Sequence, residues 1–183
     1  VHNCTGKSVL GVIPYIHDIG IPEEDMARIP FEDISAKEKP CLDAALIVLR
    51  HTSNFTDFAP LAIEPDVNVR LVRKASDFGR PDIIIIPGSK NVIGDLKKLS
   101  EEGLAEKIVA RHREGAWLVG VCGGLQICGR MIEDPHGIES SRKSAPGLGL
   151  INLHTRLEPD KTLFRAENVS TPFNIQISGY EIH

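Results

Sequence analysis

In Trp117-Leu118-Val119-Gly120-Val121-Cys122-Gly123-Gly124-Leu125-Gln126, an apolar run gives way to a glycine-flanked cysteine and then to residues that favour helix. The pattern reads as a buried strand, a tight turn with one cysteine at its apex, and a helix starting behind it. Glycines on both sides let the backbone bend sharply and let a substrate approach. A sulfur held over the first turn of a helix faces unpaired N–H groups and the positive end of the helix dipole, which favour a thiolate.

Outward from this turn the pattern is regular. Ala44 to Leu49 is a continuous apolar strand, Val67 to Val72 alternates enough to be a second, and Asp82 to Ile86 is a third, ending at Pro87-Gly88-Ser89. Gly94 to Leu99 and Glu101 to Glu114 read as helices, Trp117 to Val121 as the fourth strand and Leu125 to Ile132 as the helix after it. Continuous apolar strands alternating with helices imply an α/β fold, a parallel sheet with helices on both faces. Ligands bind such sheets at the carboxyl ends of the strands, so Pro87-Gly88-Ser89 and Cys122 should lie near one another. Beyond Glu133 the chain is richer in loops, until Ile175 to His183 alternates like a strand.

The first 40 residues differ. Val9 to Tyr15 looks like a short buried strand, and Ile19 to Pro40 carries Pro22, Pro30 and Pro40 among many charges. A lone strand cannot form a core, so residues 1–40 are expected to be the remnant of a preceding domain plus a linker, with the domain proper spanning 41–183. The chain begins at Val1 and ends at His183, and both ends read as cut from something longer.

Composition excludes several classes. The 183 residues are 42% hydrophobic and 25% charged, with a net charge of -4, which gives no electrostatic case for nucleic acid or anionic membrane. No apolar run approaches the roughly 20 residues of a membrane span, and no signal peptide opens the chain. The four cysteines, Cys4, Cys41, Cys122 and Cys128, form no C-x-x-C pair, which argues against a metal ribbon. So few cysteines suit a reducing, cytoplasmic setting.

Cys122 is the candidate nucleophile. The plain alternative, a buried structural cysteine, suits Cys128, which falls on the inner face of the following helix; strand–Gly-x-Cys-Gly-Gly–helix is an unusual way to bury a thiol. A base is needed, and seven histidines are available. His2 and His17 fall in the leading segment, His112 on a charged helix and His136 in a turn. His51 and His154 follow strands and stay open. His183 closes a strand behind Gly179-Tyr180-Glu181. Acyl transfer also needs donors for a developing oxyanion. Gly88 and Ser89 offer backbone N–H groups at a strand end, and Gly123 another; alone, Pro87-Gly88-Ser89 would be an ordinary turn. Gly147-Leu148-Gly149-Leu150 lacks the Lys and helix of a phosphate loop, so no ATP site is expected in this chain. Asn54-Phe55-Thr56 and Asn168-Val169-Ser170 match a glycosylation pattern of little meaning in a cytosolic protein.

Gly120 to Gln126 resembles the nucleophile motif of the class I, triad-type glutamine amidotransferases. With Pro87-Gly88-Ser89-Lys90-Asn91, Ser53-Asn54-Phe55-Thr56-Asp57-Phe58 and Gly179-Tyr180-Glu181-Ile182-His183, the chain resembles the C-terminal amidotransferase domain of cobyric acid synthases, from about Val9 to the last residue. The Ser53–Phe58 run separates it from the related cobyrinic acid a,c-diamide synthases. The resemblance implies a flavodoxin-like α/β fold, with Cys122 attacking the side-chain amide of glutamine. It implies backbone N–H groups of Gly88, Ser89 and Gly123 on the oxyanion, His183 shuttling the proton and Gln126 positioning glutamine. It implies no metal or cofactor in this domain. ATP and magnesium would act in an N-terminal synthetase domain of the same polypeptide, where ammonia amidates carboxylates of a corrinoid; Val9–Tyr15 would be that domain's final strand. Many triad enzymes carry His-x-Glu; nothing follows His183 here, and Glu181, on the same strand face, is the candidate orienter. With His183 terminal and free to fray, weak turnover is expected. Two rival readings are a peptidase-like cysteine hydrolase on a similar sheet and a catalytically silent binding domain.

Overall fold

The computed structural model describes residues 6–8, 11, 42–170 and 175–182. The Val9–Tyr15 strand, the Ile19–Pro40 linker, Cys4, Cys41, His2, His17 and His183 lie outside them.

Strand β1 (Leu42–Ile47) leads into the short β2 (Thr52–Ser53), a 3₁₀ turn over Phe55–Phe58 and helix α1 (Ala59–Ile63). Next come β3 (Val67–Val72), β4 (Ile83–Ile86), the two-residue β5 (Gly88–Ser89), helices α2 (Val92–Glu101) and α3 (Leu104–Arg113), and β6 (Trp117–Gly120). Helix α4 (Gly123–Cys128) is followed by β7 (Met131–Glu133), β8 (Ser144–Pro146), β9 (His154–Arg156), β10 (Leu163–Ser170) and β11 (Gln176–Ile182). Helices α2 and α3 are parted at Gly103, whose φ of 70° is left-handed backbone.

The central sheet runs β3-β1-β4-β6, and all its pairs are parallel. Alternation along its strands serves two cores. Ala45, Ile47, Ile84 and Ile86 pack with Val92, Ile93, Leu96, Leu104 and Ile108 of α2 and α3 and with Ile127 of α4. Ala44, Leu46 and Ile85 face the other way, onto Phe58, Ala62, Val67 and Val69. A fully buried isoleucine contributes about 1.5–3 kcal/mol, so both faces drive folding. The expected parallel α/β sheet with helices on both faces is the one observed.

Two expectations need correcting. The strand before Cys122 is not buried: β6 lies at the edge of the sheet, and Trp117 and Val119 are exposed at 69% and 43%. The helix after Cys122 does not reach Ile132. It stops at Cys128, because the segment from Gly147 folds back over its end. The N–H groups of Leu148 and Leu150 donate to the carbonyls of Ile127 (2.8 Å) and Cys128 (2.9 Å), and that of Gly149 to Gly129 (2.8 Å). Those donors satisfy helix-end carbonyls that would otherwise lack partners. The chain leaves through extended Gly129 into β7, which pairs antiparallel with β8 and parallel with β9. Gly147-Leu148-Gly149-Leu150 is thus a helix cap. The alternating C-terminal run forms β11, antiparallel to β10.

Candidate active site

The turn after β6 places Cys122 at φ 50°, ψ −114°. A side chain rarely adopts a positive φ, and such a residue stores about 1–3 kcal/mol of strain. The strain has a visible support. The N–H of Val121 donates to the carbonyl of Ile86 at 3.0 Å, and those of Leu125 and Gln126 return to the carbonyl of Cys122 at 3.0 and 3.3 Å. Cys122 is exposed and Cys128 buried. Burial pushes the Cys128 thiol up to about 11, so it stays protonated at neutral pH.

Glycine is required on the far side of the turn by close approach. A Cβ on Gly124 would overlap the carbonyl oxygen of Ile86 and stand 2.6 Å from that of Pro87. One on Gly123 would stand 2.8 Å from the backbone nitrogen of Ser89. The Cys122 turn is therefore pressed onto the end of β4 and the start of β5, as strand-end positions in a parallel sheet predicted.

Strand β5 is held from behind by β2, with Thr52 opposite Ser89 and Ser53 opposite Gly88. The N–H of Lys90 donates to the carbonyl of His51 at 2.9 Å. In an antiparallel ladder bonded and non-bonded pairs alternate, so the Ser89 N–H turns away from β2, toward Gly123. Gly88, Ser89, Cys122 and Gly123 thus form one wall. Gln126, half-buried, sits one turn into α4.

A buried carboxylate anchors this wall, and sequence reasoning missed it. Asp95, 1% exposed, lies in the first turn of α2. It accepts the Ser89 hydroxyl at 2.6 Å and bonds His51 Nδ1 at 3.0 Å. The His51 backbone N–H also donates to both its oxygens, at 3.2 and 3.3 Å. The signal was faint: an aspartate at an otherwise buried position of an amphipathic helix, six residues after Ser89. Among the other described histidines, His112 Nδ1 lies 3.0 Å from the Ala116 carbonyl, His136 pairs with Glu158 at 3.4 Å, and His154 is exposed in β9.

The loop after β7 braces the start of α2. Burial pushes the Asp134 carboxyl up, but N–H donors from Ile138, Glu139, Ser140 and Gly137 outweigh it and hold it below the ordinary range. Glu139 accepts the N–H of Val92 at 2.8 Å. Burial raises its carboxyl, that bond lowers it, and the charges of Asp134 and Asp95 raise it further, leaving it above the ordinary value. Among the described residues no group of His, Cys, Asp and Glu is arranged to hold a metal ion, and no helix is long and apolar enough to cross a membrane.

A nucleophile turn and a donor wall at one sheet end fit acyl-transfer chemistry, and comparison with known proteins narrows the family. The model of the CobB/CobQ-like glutamine amidotransferase domain matches residues 43–183. The chain belongs to that family. Among curated relatives of this CobB/CobQ-like domain, cobyric acid synthase of Geobacillus thermodenitrificans is 43% identical over 182 residues, covering 98% of this chain and 36% of the relative. That of Limosilactobacillus reuteri is 44% identical over 183 residues, covering all of this chain and 36% of the relative. The adenosylcobalamin biosynthesis bifunctional protein CobDQ of Leptospira interrogans is 42% identical over 186 residues, covering all of this chain and 22% of the relative. The amidotransferase domain thus spans about a third or less of the relatives it matches. A solved structure described as a glutamine amidotransferase shares its fold, with a TM-score of 0.51 at 19% identity, covering 76% of this chain and 69% of that one.

Proposed function

We propose that this domain hydrolyses glutamine through Cys122 and supplies ammonia to a corrinoid-amidating synthetase. The single observation that carries the mechanism is the exposed Cys122 at φ 50°, ψ −114°, pressed onto the Gly88–Ser89 wall. Cys122 Sγ attacks the side-chain carbonyl carbon of glutamine, and His183 takes the thiol proton. The carbonyl oxygen becomes an oxyanion, held by the backbone N–H groups of Ser89 and Gly123; the alternation that turns the Ser89 N–H toward Gly123 turns that of Gly88 toward Ser53 of β2, so Gly88 shapes the wall and does not donate. Gln126 orients the bound glutamine. His183 returns the proton to the leaving nitrogen, the C–N bond breaks and ammonia departs. Water then cleaves the thioester, releasing glutamate and the thiol.

The names of the relatives support the wider reading. Two are cobyric acid synthases and one is named for adenosylcobalamin biosynthesis. We assign ATP and magnesium to an N-terminal synthetase domain of the same cytoplasmic polypeptide, which amidates corrinoid carboxylates with the ammonia. Nothing in the mechanism calls for a metal or cofactor in this domain, and neither nucleic acid nor membrane is a partner.

The test is alkylation by a glutamine-like electrophile, mapped by mass spectrometry with and without excess glutamine. Modification of Cys122 but not Cys128, blocked by glutamine, is the expected result. Equal modification of both cysteines, or no protection by glutamine, would reject a glutamine pocket and leave the silent-domain reading.

A further inference from the structure

We propose that His51 is a positioning residue of this site, acting through Asp95 to fix Ser89 and the strand that faces Cys122. The inference rests on the glutaminase reading above and adds His51 and Asp95, which that reading does not use.

A carboxylate taken out of water must be saturated with donors. Asp95 is 1% exposed, and its donors come from two places: the Ser89 hydroxyl at 2.6 Å, and His51 through Nδ1 at 3.0 Å and its backbone N–H at 3.2 and 3.3 Å. A carboxylate only accepts, so Nδ1 of His51 carries the hydrogen. The Ser89 hydroxyl, having donated to Asp95, accepts the N–H of Asn91 at 3.0 Å. Asn91 caps α2 by accepting the N–H of Gly94 at 2.9 Å. One carboxylate therefore joins the residue before β2, the residue that ends β5 and the first turn of α2.

The geometry makes this more than a brace. Ser89 bonds Asp95 with its side chain while its backbone nitrogen faces Gly123, 2.8 Å from where a Cβ on that residue would stand. Loss of the Ser89–Asp95 bond would free the Ser89 backbone to shift, and its N–H with it, relative to the Cys122 turn. An oxyanion donor misplaced by a fraction of an ångström loses much of its effect on rate without changing how the ground-state amide binds. His51, bonded to Asp95 through its ring and its backbone N–H, holds the carboxylate where Ser89 can reach it. Its ring is partly exposed, so removing it leaves no buried cavity.

The experiment uses the intact protein that carries this chain, with kcat and KM for glutamine hydrolysis. His51→Ala is expected to lower kcat by about tenfold with KM within about twofold of the parent. His51→Asn, whose side-chain N–H occupies the place of Nδ1, is expected to restore most of kcat, whereas His51→Gln, whose amide reaches the place of Nε2, is not. Ser89→Ala combined with His51→Ala is expected to be little slower than the slower single variant, because the two act as one unit. Iodoacetamide labelling of Cys122 with Cys128 protected, which needs no oxyanion donor, is expected to be unchanged in every variant and certifies the fold around the turn. The proposal is overturned if His51→Ala leaves kcat unchanged, whether or not it melts lower. It is also overturned if Asn and Gln behave alike, or if the double variant loses the product of the single losses. Cys122→Ala keeps the two readings apart: hydrolysis surviving that change rejects the glutaminase reading itself, whereas hydrolysis that depends on Cys122 and ignores His51 rejects this inference alone.

Discussion

The two ends of α4 carry the same side chain in opposite settings. At its start Cys122 is exposed, on backbone that side chains avoid. At its end Cys128 is 2% exposed, packed beside Ile127 in the larger core, with its thiol pushed up to about 11 by burial. Nothing in the residue type separates them. The chain path does: one cysteine stands where β6 must turn over the end of β4, and the other where the helix meets the sheet. A thiol becomes a tool when the fold spends strain on presenting it and a filler when the fold spends nothing.

Breaking the first setting should give the largest effect. Cys122→Ala is expected to reduce glutamine hydrolysis by at least about 10³-fold, since the proposed thioester forms on its sulfur; Cys128→Ala should stay within about threefold, and steady-state assays compare them. Next in size is the packing behind the turn. Gly124→Ala places a methyl group against the carbonyl oxygen of Ile86 and is expected to cost about 3 kcal/mol, read by urea denaturation. Alanine at Gly115, where a Cβ would meet nothing within 4 Å but φ is 106°, is expected to cost about 1 kcal/mol.

Cys128 yields a pH signature. Its thiol titrates near 9.0 when free and near 11 when buried, so the folded chain holds this proton more tightly than the unfolded one. Its contribution is intact below pH 9 and is lost as pH rises toward 11, by which point the loss amounts to about 2 kcal/mol. Denaturation curves at several pH values should show this fall in the parent and a shallower one in Cys128→Ala. The smallest effect sharpens the contrast most. Cys122→Gly removes the side chain that a φ of 50° strains and is expected to stabilise the fold by about 1 kcal/mol while abolishing turnover. Cys128→Gly, in a helix and a core, should destabilise it.

Much of this was legible in the sequence. Ala44 to Ile47, Ile83 to Ile86 and the Gly-x-Cys-Gly-Gly turn announce a parallel sheet and its working end, because buried strands and tight turns restrict composition strongly. The exposed edge at Trp117 was not legible, since an apolar strand reads the same whether one face or two are covered. Nor was the end of α4 at Cys128, which depends on donors from Leu148 and Leu150, about 20 residues away in the chain. Asp95 stayed hidden for a related reason: its meaning comes from His51 and Ser89, and no local pattern ties those three together. His183 was read from its motif alone and lies outside the described residues.

The edge position of β6 has an optical consequence. Trp117 is the only tryptophan of the chain, and it stands 69% exposed at the start of the strand that ends beside Cys122. Its emission should therefore be that of an indole in water. Whatever covers this edge will shift the emission to the blue, so an unlabelled sample carries its own lamp on the strand that leads to the Cys122 turn.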